Sequence, residues 1–107
     1  MPIFENRESA YEAKFAIDEE TKFKARVRCS GLAGHWAARK LGLAGSDADD
    51  YVKNLVAAVI ETSEPDDLFK RIRMDFKLNR VAQSDHQIHR VLDEFMTRAI
   101  ADVRGGE

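Results

Sequence analysis

The chain predicts an all-α protein, a four-helix bundle with a long, bent first helix. Two observations carry that reading. Strand signals are nearly absent: there is no sustained apolar–polar alternation, and no Asn-Gly or Asp-Gly turn between apolar runs. Helical periodicity recurs in one stretch after another, and short breaks rich in Gly, Pro, Ser and Asp separate the stretches. Helices joined by such short loops settle as antiparallel neighbours in an up-and-down bundle.

The first helical stretch starts at about Asn6, a good N-cap residue, and runs toward Leu43. At about 1.5 Å per residue it would exceed roughly 50 Å, too long for a domain this size, so it must bend, break or project. Its apolar pattern says where. Phe4, Tyr11 and Phe15 are spaced i, i+7, i+11 and fall within about 40° of one another, whereas Phe23 and Val27 project about 100° away. A helix buried along its length would keep one stripe. The change of face falls at the acidic run Asp18-Glu19-Glu20 and divides the stretch in two: one piece packs on the bundle, and the other, with the aromatic line, either folds back on the bundle as core or is available to a partner. Gly31 and Gly34 are further weak points, each costing roughly 1 kcal/mol relative to Ala in a helix interior. Their alternative use is close packing. Ser30, Gly31, Gly34, Ala37, Ala38 and Leu41 form a small-residue face that a second helix can approach, while Leu32, Trp36 and Leu43 supply bulk on the other side.

Gly42 and Gly45 end that stretch, either one suited to a left-handed cap. Ser46-Asp47-Ala48-Asp49 reads as the start of helix 47–63, with an N-cap and acids that suit the dipole. Val52, Leu55, Val56, Val59 and Ile60 make its apolar stripe. Glu64-Pro65-Asp66 closes it and opens helix 66–79, because Pro suits a first helical turn and not an interior. Leu68, Phe69, Ile72 and Phe76 line one face of that helix. Ser84-Asp85-His86-Gln87 is a capping box. The final helix, 85–103, buries Ile88, Val91, Leu92, Phe95, Met96, Ala99, Ile100 and Val103.

Composition bounds the function. The chain has 107 residues, enough for one core, and 34% are charged, which fits exposed helices. A net charge of −2 gives no broad attraction to nucleic acid or to an anionic membrane. A single cysteine excludes an intrachain disulfide and fits a reducing compartment. The start of the chain has no secretory pattern, and no apolar run approaches the ~20 residues of a membrane span. The expected character is cytosolic.

Reaction chemistry is scarce. The GLAG stretches lack the Lys-Ser/Thr of a phosphate loop and follow no strand. Asp85, His86 and His89 are metal-type ligands, but the first turn of a helix commonly carries an acid and solvated imidazoles, so no metal site is assigned. Asp47, Asp49 and Asp50 lack the glycine and closing glutamate of a calcium loop and complement the helix dipole instead. Cys29 and His35 fall on different faces of a helix, which leaves Cys29 as a small filler. No cofactor is expected, and no acid, base and nucleophile converge, so the chain does not read as an enzyme.

Against that background the residues resemble a known family. FENRESAYEAKFAIDEETKFKARVR at 4–28, GLAGHWAARKLGL at 31–43 and SDHQIHRVLDEF at 84–95 are similar to the zeta subunit of alphaproteobacterial F-type ATP synthases. The likeness spans essentially the whole chain. Its most specific elements are E-x-K-F-A-x-D-E-E at 12–20, Gly34-x-Trp36-Ala37-Ala38 and Ser84-Asp85-His86-Gln87-Ile88. Ser9 and Tyr11 stand where the family often has other residues, and Cys29 lies outside its pattern.

The resemblance implies a four-helix bundle over 20–107 and an N-terminal inhibitory segment over 1–19, mobile in the free protein. That segment becomes helical when inserted between the catalytic beta subunit, the adjacent alpha and the central gamma shaft of the synthase head, and it blocks ATP hydrolysis. Matched positions assign partner binding to Phe4, Glu5, Arg7, Glu8, Tyr11, Lys14 and Phe15. A monomer when free, cytoplasmic and peripheral to the inner membrane through the synthase, completes the expectation. It includes neither nucleic acid nor direct membrane insertion. The alternative is a small nucleotide- or ligand-binding regulatory bundle, using the two-sided apolar segment at Trp36 with Arg39 and Lys40.

Overall fold

A computed structural model describes residues 18–62, 64 and 66–105. It contains four helices, α1 (Glu19–Lys40), α2 (Gly45–Glu61), α3 (Asp67–Leu78) and α4 (Asp85–Gly105), and no strand among the described residues. The all-α bundle is the observed fold. The part of the expected first helix that precedes Asp18 lies outside the described residues.

Cap chemistry sets the boundaries. Asp18 is extended, and its Oδ1 accepts from the Thr21 backbone N–H at 2.8 Å, so α1 begins one residue later, within the acidic run. α1 then runs uninterrupted through Gly31 and Gly34 to Lys40. Gly42, at φ 78, closes it as a Schellman turn: the Leu43 N–H donates to Ala38 O at 2.9 Å and the Gly42 N–H to Arg39 O at 3.1 Å. α3 ends the same way, with Val81 N–H to Phe76 O at 2.9 Å and Arg80 N–H to Lys77 O at 3.4 Å. There the left-handed position is Arg80, at φ 56. The capping box forms reciprocally: the Ser84 N–H donates to Gln87 Oε1 at 2.8 Å, and the Gln87 N–H to Ser84 Oγ at 3.1 Å.

Two expectations need correction. The N-cap of α2 is Ala44, which offers no side-chain acceptor, and not Ser46. The turn at Gly42 leaves only Leu43 and Ala44 before the chain re-enters a helix, so Ser46 falls inside the first turn. Ile60, expected in the buried stripe of α2, is 49% exposed. It lies eight residues beyond Val52, which rotates it about 80° from the side that meets α1.

α1 sits between α2 and α4, with α2 crowded against Gly34 and α4 against Cys29. All consecutive helices run antiparallel, as fixed by Arg26–Thr62 (α1 to the end of α2), Tyr51–Asp75 (α2 to α3) and Arg73–Asp85 together with Phe69–His89 (α3 to α4). The larger core cluster joins Ala33 and Ala37 of α1 to Leu55, Phe69, Ile72, Phe76, Ile88 and Leu92. A smaller one joins Ala25 and Cys29 to Ala99 and Ile100 of α4, and the partly buried Leu68 and Phe95 touch both. Of the small-residue face, Ser30, Gly34, Ala37 and Ala38 are buried, whereas Gly31 and Leu41 are half-buried. Ser30 keeps its hydroxyl satisfied by donating to Val27 O at 2.7 Å. A fully buried Phe or Ile, such as Phe76 or Ile72, contributes about 1.5–3 kcal/mol of transfer free energy.

Candidate functional site

The residues assigned to partner binding, Phe4, Glu5, Arg7, Glu8, Tyr11, Lys14 and Phe15, lie outside the described residues. What is described is the start of α1, which follows that segment in the chain. Asp18, at φ −85 and ψ 175, is not helical, so α1 does not extend through it. The Thr21 backbone N–H, followed by the Thr21 hydroxyl, holds the Asp18 carboxyl below its usual range. A depressed carboxylate pKa means that this cap is intact above the ordinary Asp range and is lost as pH falls through the lowered value. Glu19 and Glu20 add negative charge at the positive end of the helix dipole.

The start of α1 is tied to both neighbouring helices. Arg26 Nη2 donates to Thr62 O at 3.3 Å, and Arg28 Nε donates to Asp102 Oδ2 at 2.9 Å. Between them Ala25 is fully buried, close to Ala99 and Ile100.

The alternative ligand residues sit at the other end of α1. Trp36 is half-buried, with its ring centroid 5.4 Å from that of Phe76 at 60°, a core contact. Arg39 and Lys40 are exposed in the last turn, where cations complement the carbonyl end of the dipole. Among the described residues a cleft lies elsewhere, between α2 and α3. It has a volume of about 340 Å³ and is lined by Tyr51, Asn54, Leu55, Ala58, Lys70 and Met74, among others. Tyr51 Oη donates to Asp75 Oδ2 at 2.7 Å, and burial, then that hydrogen bond, pushes the phenol pKa up, so the hydroxyl stays protonated. Arg71 and Asp75 complete the lining of this cleft. Sequence reading missed it, because Tyr51 and Asp75 are 24 residues apart and no local pattern links them.

The other candidates have structural uses. Asp85 Oδ1 accepts from Arg73 Nε at 3.0 Å, and the His89 ring stacks on Phe69 at 3.8 Å and 12°. Among the described residues, no three His, Cys, Asp or Glu side chains are grouped to hold a metal. Cys29 is 5% exposed, and burial, helped by Asp93, pushes its thiol up to about 12, so it is not a nucleophile at neutral pH. No described helix is long and apolar enough to cross a membrane.

Comparison with known proteins gives one match. The family model for ATPase inhibitor subunit zeta matches residues 1–102. No curated protein and no solved structure matches the chain.

Proposed function

The chain belongs to the ATPase inhibitor subunit zeta family, and from that membership we propose that it stops ATP hydrolysis by wedging residues 1–19 into the head of the F-type ATP synthase. The observation that carries the reading is the reach of the family match, which takes in the segment before Asp18 together with the helices behind it. The cap at Asp18 supports a division between the two, because α1 starts there on its own hydrogen bonds.

The proposed seat is the interface of the catalytic beta subunit, the adjacent alpha and the gamma shaft. Phe4, Tyr11 and Phe15 enter as one aromatic line, each worth roughly 1.5–3 kcal/mol when fully buried. Ordering the segment offsets part of that gain. Glu5, Arg7, Glu8 and Lys14 set register against the partner's charges and add little bulk affinity. A helix held there obstructs the rotation that hydrolysis needs, and preference for one rotary state is sufficient for the block. On this reading the chain is an inhibitor and not an enzyme, a monomer when free, and held near the membrane through the synthase.

Deletion of residues 1–19 tests it. The shortened chain keeps its far-ultraviolet helical signal and melting temperature, and inhibition of purified ATP synthase disappears. Loss of the cooperative melt would place Phe4, Tyr11 and Phe15 in the core and end the proposal.

A further inference from the structure

Resting on that reading, we infer that the open edge between the start of α1 and the end of α2 is a second docking surface for the synthase head, fitting an apolar patch rimmed by Lys or Arg. The contact of Gly34 with Val52 and Leu55, and the Arg26–Thr62 hydrogen bond, fix the register of the two antiparallel helices. Phe23 and Val27 precede Gly34 by eleven and seven residues, which places them within about 20° of the direction in which Gly34 meets α2. Gly31 lies about 60° to one side of that direction, and Ile60 about 80° to the same side on α2, because equal offsets on antiparallel helices turn the same way. α3 occupies the opposite side, through Tyr51. The edge is thus apolar and open: Phe23 is 48% exposed and Ile60 49%, with Val27 and Val56 half-buried beside them.

Gly31 gives a second, independent reason. A side chain there would meet nothing within 4 Å among the described residues. Glycine weakens a helix interior, and no described neighbour requires one at this position. A partner that closes on the α1 backbone does require it. The occupant follows from continuity and charge. Residues 1–17 join the bundle at Asp18, only about 8 Å along the axis from Phe23, so whatever holds the segment stands against this end. Lys24, on the same side as Gly31, is paired with Glu20, and Arg26 with Thr62 O, so the exposed carboxylates of Glu61 and Glu64, at the end of α2 next to Ile60, are the charges that a Lys or Arg rim would meet.

Two variants of the full chain, Gly31→Gln and Ile60→Lys, test this against purified F-type ATP synthase. Gly31→Gln melts no lower than the unaltered chain, and both variants require about tenfold more protein for half-inhibition. Inhibition equal to that of the unaltered chain by both folded variants overturns the inference. Stronger inhibition also overturns it, since the edge then covers the chain's own N-terminal segment. So does a dimer of the unaltered chain, seen by sedimentation equilibrium, that Ile60→Lys dissociates. If deletion of residues 1–19 leaves inhibition intact, the underlying reading falls. If that deletion abolishes inhibition while both variants inhibit normally, only the second surface falls.

Discussion

Gly31 and Gly34 stand one turn apart on α1 in opposite surroundings. A methyl at Gly34 would lie 3.3 Å from Val52 Cγ2 and 3.4 Å from Leu55 Cδ2, so the missing side chain lets α2 close on α1. At Gly31 the same absence opens on space among the described residues. Toward α2, one glycine marks a closed half of α1 and the other borders an open half that leaves Phe23 exposed, while Ala25 and Cys29 in that same half are buried against α4. A glycine in a helix therefore tells little until its neighbours are known.

Substitutions sharpen the contrast. Gly34→Leu forces a branched side chain into the α1–α2 contact and is expected to cost about 1–3 kcal/mol, read from the midpoint of urea unfolding. A neutral result would mean that the two helices are not held at this spacing. Gly31→Ala runs the other way. It gains helix propensity at no packing cost and is expected to add about 1 kcal/mol, or roughly 4–8 °C in Tm, by calorimetry. If both glycines respond alike, the distinction between a closed and an open half fails. The smallest effect belongs to the two turns that share one geometry. Gly42 adopts its left-handed conformation without strain, whereas Arg80 does so with a Cβ. Arg80→Gly is expected to raise stability by up to about 1 kcal/mol in the same unfolding assay, and a loss would show that the Arg80 side chain does more than close the turn.

Much of this fold was legible because its signals are local. The capping box at Ser84 and the stripe Phe69, Ile72, Phe76 depend on neighbours three and four residues away, and both appear where the spacing puts them. The readings that needed correction depend on tertiary geometry. Ser46 has the right chemistry for an N-cap, but the exit path of the Gly42 turn decides that Ala44 takes the place. Ile60 continues an apolar stripe in sequence and misses the α1 contact in space. Gly31 and Gly34 were indistinguishable as letters, since only the position of α2 separates them. The Tyr51–Asp75 pair was illegible for the same reason. For the residues proposed to inhibit, the legible part is the aromatic spacing of Phe4, Tyr11 and Phe15, and the family match over residues 1–102 is the support that the comparison adds.

The most direct measurement places a photoreactive residue at Tyr11 of the full chain, bound to ATP synthase whose hydrolysis it has stopped. The account predicts adducts with the alpha, beta or gamma subunit. Adducts confined to this chain's own helices, with hydrolysis still inhibited, would contradict it.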